Sequence, residues 1–324
     1  MNKRALICGV SGQDGAYLSQ LLLAKGYTVF GTSRDAETTS FAGLVSLGIR
    51  QQVRCVSMSL TDFRSALQVI DDVAPDEIYH LAGQSSVGLS FQHPVETLES
   101  IAFGTLNLLE VLRFRKSKAR FYNASSSECF GETSFQHPAN EDTAFHPRSP
   151  YGVAKAAAFW ATVNYREAFG LKASSGILFN HESPLRPERF VTQKIVRGAC
   201  RIAAGSKEKL RLGNLDVVRD WGWAPDYADA MWRMMQIENP RDFVIASGRS
   251  HSLAEFTQKA FSNLGLNWRD HILVDSSLLR AADIALSHAN PVRAAQELGW
   301  TATLDFDAIL DALIQAEQLR LAKV

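Results

Sequence analysis

Gly9-Val10-Ser11-Gly12-Gln13-Asp14-Gly15 decides how the rest of the chain is read. It follows the apolar run Ala5-Leu6-Ile7-Cys8 and opens an amphipathic stretch, 16–24, in which Leu18, Leu21, Leu22 and Leu23 give an apolar face. A strand that turns through Gly-x-x-Gly-x-x-Gly into a helix gains a tight turn, close backbone approach to a ligand and close helix–strand packing. The first helical turn then offers unpaired N–H groups to a pyrophosphate. Three glycines in a loop also occur in plain turns, so the weight lies in their placement between strand and helix.

Outward from this motif, short apolar runs at 5–10, 28–32, 53–58, 77–82, 120–124 and 173–179 alternate with helical patterns. Near-continuous apolar strands separated by helices predict a parallel sheet covered on both faces. The second half reads differently, with helices predicted at 190–204, 226–236, 252–264 and 306–321 and a strand at 243–246. Pro184, Pro187 and Gly213 mark irregular connections there. The expected fold is α/β: a Rossmann-type doubly wound parallel sheet with a smaller, mostly C-terminal substrate-binding lobe. Residues 1–179 form the dinucleotide-binding part, to which the chain returns around 215–247. Residues 180–214 and 248–324 form the lobe.

The chain has 324 residues, 46% of them hydrophobic, and 34 basic residues balance 34 acidic ones. A formal charge of zero gives no bulk attraction to nucleic acid or to an anionic membrane, so an anionic ligand needs a few placed cations. Cys8, Cys55, Cys129 and Cys200 are far apart, without Cys-x-x-Cys spacing or clustered histidines. They read as buried reduced thiols and not as zinc ligands. The apolar run after Met1-Asn2-Lys3-Arg4 is too short for a secretory core, and no stretch is long enough to span a bilayer. A cytoplasmic protein is expected, with neither nucleic acid nor membrane as partner.

The end of the second strand carries Arg34 and then Asp35. A carboxylate there binds ribose hydroxyls and selects NAD, whereas an arginine accommodates the 2′-phosphate of NADP. Arg34 tilts the reading to NADP and leaves NAD possible; the pair would equally suit a solvated loop. Tyr151-Gly152-Val153-Ala154-Lys155 follows Pro150. Spacing of four puts Tyr151 and Lys155 on one helical face, where an ammonium is expected to lower the phenol's pKa by about 1–3 units. Alone, Tyr-x-x-x-Lys is a common surface pair. Asn123-Ala124-Ser125-Ser126-Ser127-Glu128, at the end of the fifth strand, changes its weight. Ligands of open parallel sheets sit beyond the carboxyl ends of the strands. Ser126 is therefore expected to hydrogen-bond a substrate oxygen and Glu128 to move a second proton, which alcohol oxidation alone does not require. A plain loop or cap carboxylate is the alternative for Glu128.

These residues resemble the GDP-mannose 4,6-dehydratases, members of the extended short-chain dehydrogenase/reductases. The resemblance runs from the glycine motif to Glu297-Leu298-Gly299-Trp300. Its most specific stretches are Ser149-Pro150-Tyr151-Gly152-Val153-Ala154-Lys155, Asn180-His181-Glu182-Ser183-Pro184, Leu212-Gly213-Asn214-Leu215-Asp216 and Arg219-Asp220-Trp221-Gly222. The resemblance implies a hydro-lyase with an internal redox cycle. Tyr151 takes the proton from the sugar O4 while hydride passes from C4 to NADP+. Glu128 removes the C5 proton and helps the C6 hydroxyl leave as water, and the hydride returns to C6. It further implies cofactor contacts from Gly9, Ser11, Gly12, Gln13, Asp14, Gly15, Arg34, Ser59, Leu60, Leu81, Ala82 and Gln84, besides Tyr151 and Lys155. Substrate contacts would come from Ser85, Ser86, Val87, Ser126, Glu128, Asn180, Lys194, Arg219, Arg280 and Asp283. Arg219 and Arg280 are the first choices for the diphosphate of a GDP-linked sugar. A homodimer or homotetramer is implied as well.

The chain departs from the family pattern at several points. Ser126 stands where the family usually has Thr, and Ser59 where it has an adenine-contacting Asp. Ser33-Arg34-Asp35-Ala36-Glu37-Thr38-Thr39 replaces a double-arginine loop that serves both the 2′-phosphate and the tetramer. Arg280-Ala281-Ala282-Asp283 keeps a charge where the family's proline is lost. These differences keep open a 4-keto reductase or epimerase acting on a related nucleotide sugar. A non-catalytic dinucleotide-binding protein is disfavoured, because Ser126, Glu128, Tyr151 and Lys155 are all present.

Overall fold

A computed structural model describes residues 2–279 and 282–322. Arg280, one of the two arginines expected at the diphosphate, lies outside the described residues.

The strands are β1 (Arg4–Cys8), β2 (Thr28–Ser33), β3 (Arg54–Ser57), β4 (Glu77–His80), β5 (Arg120–Ser126), β6 (Ala173–Leu178), β7 (Asn180–Glu182), β8 (Leu210–Leu212), β9 (Val218–Trp223), β10 (Phe243–Ile245), β11 (Ser250–Ser252) and β12 (Ile272–Val274). Seven of them form one parallel sheet in the order β10-β6-β5-β4-β1-β2-β3. The order reverses beside β1, between β2 and β4. A crevice opens at such a switch point, beyond the carboxyl ends of the strands. Each predicted strand is present, with ends shifted by a residue or two. β1, for instance, stops at Cys8 because Gly9 turns into the left-handed region, at φ 91°.

Burial explains why these sequences form this sheet. Ala5, Leu6, Ile7 and Cys8 are all fully buried, as a central strand covered on both faces requires. One core holds Val10, Leu18, Leu22, Tyr122, Tyr227 and Met231; another holds Leu6, Ile70, Ile78, Leu109 and Phe121. The helix Pro150–Phe169 starts with Ser149 as N-cap, whose Oγ accepts the Gly152 amide at 3.0 Å, and Pro150 occupies its first turn. It ends at Gly170, at φ 67°.

A third core lies apart from the sheet. Ile195, Trp221, Phe256, Phe306, Leu310 and Leu313 bring together the helices Val191–Ala203, Leu253–Ser262 and Phe306–Leu321. Two small sheets, β11-β9-β7 and β12-β8, pack against these helices, and β7, β8 and β9 place residues in the crevice. The helix Val292–Leu298 and Trp300 return to the first core, where Trp300 Nε1 donates to the Asp226 carbonyl at 2.9 Å. The four cysteines are free, and all but Cys55 are buried. Among the described residues no helix is long and apolar enough to cross a membrane.

Candidate active site

The crevice opens into a cavity of about 1300 Å³ between the sheet and the lobe. That exceeds the range of roughly 300–1,000 Å³ that holds one drug-sized ligand. Every described residue singled out as a site residue lines it.

At its floor the glycine loop passes from β1 into the helix Gln13–Ala24. A Cβ on Gly9 would stand 2.8 Å from the Ala82 amide nitrogen, and one on Gly15 would stand 2.5 Å from the Gly9 carbonyl. Both glycines are demanded by protein packing. Gly12 is different: the nearest protein atom to a Cβ there is 3.4 Å away. Its lack of a side chain suits a ligand lying close to the backbone, so the loop fits a dinucleotide's pyrophosphate. At the β2 end, Asp35 turns inward on its own loop. Its carboxylate accepts the Glu37 amide (2.9 Å), the Thr38 amide (3.1 Å) and the Thr38 hydroxyl (2.7 Å). The Thr38 hydroxyl and these amides hold its pKa below the usual carboxylate range. Arg34 lines the cavity beside it. Gln84 largely shapes its own turn: its amide donates to the Ser86 carbonyl at 2.8 Å, and the Ser86 amide donates back to its side chain. Ser86 in turn caps the helix Val87–Gln92. Ser59 shares a hydrogen bond with Thr61 at 3.2 Å.

Deeper in, β5 delivers Ser126 and Glu128 against the start of the helix Pro150–Phe169. Ser126 Oγ accepts the Glu128 amide at 3.3 Å and is hydrogen-bonded to the Tyr151 hydroxyl. Glu128 lines the cavity close enough for its charge to act on Tyr151. Lys155 Nζ donates to the Ala124 carbonyl at 2.6 Å and lies 5.8 Å from the centre of the Tyr151 ring. One expectation is corrected here. The Tyr151 pKa is not lowered but raised, first by burial, with Glu128 adding to the rise and the Ser126 hydrogen bond opposing it. Lys155 is buried too, and burial brings it down to about 8. Helical spacing says that the two groups share a face; it does not say that both leave water, and desolvation is the largest cause for each. His80, below them on β4, is pushed by burial and by Lys155 down to about 3 and is therefore neutral.

On the lobe side, Asn180 stands on β7 and Lys194 Nζ donates to the Arg211 carbonyl at 2.6 Å. Arg219 and Asp283, expected as separate substrate contacts, are an ion pair at 3.1 Å, and Arg219 also donates to the Val218 carbonyl. Arg186 and His181 line the cavity as well and were not singled out from the sequence. His181 stood inside a quoted stretch, yet nothing local separates a cavity histidine from a core one.

A glycine loop, a Tyr–Lys–Ser set and an added carboxylate now stand in one cavity, and comparison with known proteins places the chain. Residues 6–313 match the family model described as GDP-mannose 4,6 dehydratase. The chain belongs to the GDP-mannose 4,6-dehydratase family. It is 44% identical to GDP-mannose 4,6 dehydratase 2 of Arabidopsis thaliana, over 99% of this chain and 88% of that one. It is 40% identical to the GDP-mannose 4,6-dehydratase of a Vibrio cholerae O1 strain, over 98% and 94%. In fold it is similar to the dTDP-glucose 4,6-dehydratase of Bacillus anthracis solved with NAD, at TM-score 0.86 and 18% identity, covering 99% of this chain and 98% of that one. It is likewise similar to RMD of Pseudomonas aeruginosa complexed with NADPH, at TM-score 0.81 and 24% identity, over 98% and 100%. The family is thus one of hydro-lyases on an extended short-chain dehydrogenase fold.

Proposed function

We propose that this chain is a GDP-mannose 4,6-dehydratase that keeps NADP bound and eliminates water from the sugar. The observation that carries this reading is Glu128 beside Ser126, Tyr151 and Lys155 in one cavity. An alcohol–ketone interconversion uses one proton carrier at the hydroxyl, and elimination needs a second at the carbon next to the ketone.

The residues divide the work as follows. The nicotinamide, when bound, supplies the acceptor that takes hydride from C4 and returns it to C6. Ser126 orients the C4 hydroxyl through the oxygen that already meets Tyr151. Tyr151 takes the O4 proton, and Lys155, an ammonium below about pH 8, is the chain's own counter-charge to the phenolate that this requires. Glu128 then removes the C5 proton, made acidic by the ketone, and delivers a proton to the departing C6 hydroxyl. Asn180 and Lys194 hold the nucleotide sugar, and Arg219 meets its diphosphate in an orientation fixed by Asp283. NADP is favoured over NAD because Asp35 spends its carboxylate on its own turn while Arg34 faces the cavity. A homodimer is proposed as the assembly. Val153 and Trp160 on one face of the helix Pro150–Phe169, with Phe103 nearby, are exposed apolar side chains that suit a second copy.

Purified protein incubated with GDP-mannose should yield a product one water lighter by mass spectrometry, with no added reductant consumed. Tyr151→Phe should abolish C4 oxidation. Glu128→Gln should still exchange hydride slowly at C4 yet release no water. Turnover of a different nucleotide sugar but not of GDP-mannose would remove the substrate assignment; normal turnover by both variants would remove the mechanism.

A further inference from the structure

Segment 283–290 forms no helix and no strand, only single bridges from Leu286 to Val218 and from Ala289 to Ala139. It lies between two neighbours, and its backbone groups pair with both. On one side is the start of β9. The Val218 amide donates to the Ala285 carbonyl at 2.8 Å, and the Ser287 amide donates to the Val218 carbonyl at 3.0 Å. On the other side is the loop that follows Glu128. There the Thr133 amide donates to the Leu286 carbonyl at 3.1 Å, the Ala139 amide to the His288 carbonyl at 2.9 Å and the Asn290 amide to the Ala139 carbonyl at 2.8 Å. Two side chains of that loop add to these ties. Thr133 Oγ1 accepts the His288 amide at 2.7 Å, and Glu132 Oε2 accepts the Ala285 amide at 3.2 Å.

The loop is the firm neighbour. Phe130 is buried against the rings of Phe145 and Phe179, at 5.2 and 6.3 Å, and Gly131, at φ 72°, leaves no room for a Cβ beside the His146 carbonyl. The segment in turn holds Arg219. Its guanidinium donates to the Val218 carbonyl at 2.9 Å and the Ala285 carbonyl at 3.5 Å, and it pairs with Asp283 at 3.1 Å. The Ala285 residue is therefore shared: its N–H meets Glu132 and its C=O meets Arg219. Arg219 is buried and lines the cavity, so a shift of the segment re-aims it. Among the described residues that line the cavity, neither Thr133 nor Glu132 appears, so they reach a ligand only through this segment.

We propose that Thr133, with Glu132, is a positioning residue for the substrate diphosphate: it moors segment 283–288 to the core-packed loop after Glu128, and the moored segment aims Arg219. The proposal rests on the reading of Arg219 as a diphosphate contact. Its test is a double-mutant cycle read by calorimetry with GDP, UDP and dTDP, which share the diphosphate and differ in the base. Thr133→Val keeps the shape and leaves the His288 amide without its acceptor. It should weaken the bound nucleotide about five- to tenfold, as one lost hydrogen bond does. In Arg219→Met it should cost nothing further, because groups that act as a unit are not additive. Thr133→Ser, which keeps the hydroxyl, should bind as the wild type does, and NADP+ affinity should be unchanged in Thr133→Val. With GDP-mannose the loss should appear in KM and leave kcat nearly unchanged. An equal loss with and without Arg219, or a Thr133→Ser as weak as Thr133→Val, would overturn the proposal and leave only a packing role. Wild-type affinity in Thr133→Val would overturn it as well. If Thr133→Val fails to fold, Glu132→Ala, a change at an exposed side chain, runs the same cycle and is judged by the same outcomes. A cycle that holds for UDP or dTDP, with no binding of GDP, would remove GDP-mannose as the substrate and keep the proposal; an additive cycle on GDP would do the reverse. Binding of none of the three to the wild type would end both.

Discussion

Lys155 shows what a reactive group costs at the scale of one side chain. Burial brings it from 10.5 to about 8. Between those values the unfolded chain holds a proton that the folded chain has released, so stability rises with pH across that window. Below pH 8 the buried ammonium weighs on the fold in full. Lys155→Met should remove this slope and, after loss of the hydrogen bond to Ala124, raise stability at pH 7 by about 2 kcal/mol. Thermal unfolding followed from pH 7 to 10.5 checks it. Turnover should fall at least about a hundredfold in the same variant, because a methionine offers no counter-charge to the Tyr151 phenolate. The sequence singled out Ser126, Glu128, Tyr151 and Lys155 from separate segments, and all four line one cavity. Their electrostatics were not: the sign of the Tyr151 shift depends on how much water the fold removes.

At the scale of elements, the site depends on how closely the helix Pro150–Phe169 approaches the end of β5. Gly152 marks that contact. A Cβ there would stand 2.7 Å from the Glu128 carbonyl oxygen and 3.0 Å from Pro147 Cβ. Gly152→Ala must therefore push the Glu128 backbone away from Tyr151. Turnover is expected to drop about tenfold or more, as displacements of this size do in preorganised sites. Dinucleotide binding, which the proposed function assigns to the loop at 9–15, should change little. Steady-state kinetics alongside a cofactor titration separate the two. The strands were legible because a buried parallel sheet leaves unbroken apolar runs, and the helix start because Ser149 and Pro150 carry cap chemistry. The small strands β7, β8, β11 and β12 were not, because three residues are too few to show a period.

At the scale of the whole molecule, the proposed homodimer rests on one apolar helix face. Val153 and Trp160 leave 46% and 58% of their surface exposed, seven residues apart on one helical face, and Phe103, in a segment packed on the same helix, leaves 57%. Trp160→Lys should convert a dimer to a monomer in sedimentation, with the far-ultraviolet spectrum unchanged. A wild type that sediments as a monomer would refute the homodimer.

The sequence by itself determined the order of the seven strands of the main sheet, the glycine loop after the first of them and the types of residue available for chemistry, because apolar runs, glycine spacing and caps are local properties of the chain. Only the tertiary structure decided that Arg219 pairs with Asp283, that His181 braces Asp14 across 167 positions, and that Tyr151 is raised and not lowered. Those outcomes depend on which groups lose water together, and desolvation is set by the whole packed molecule.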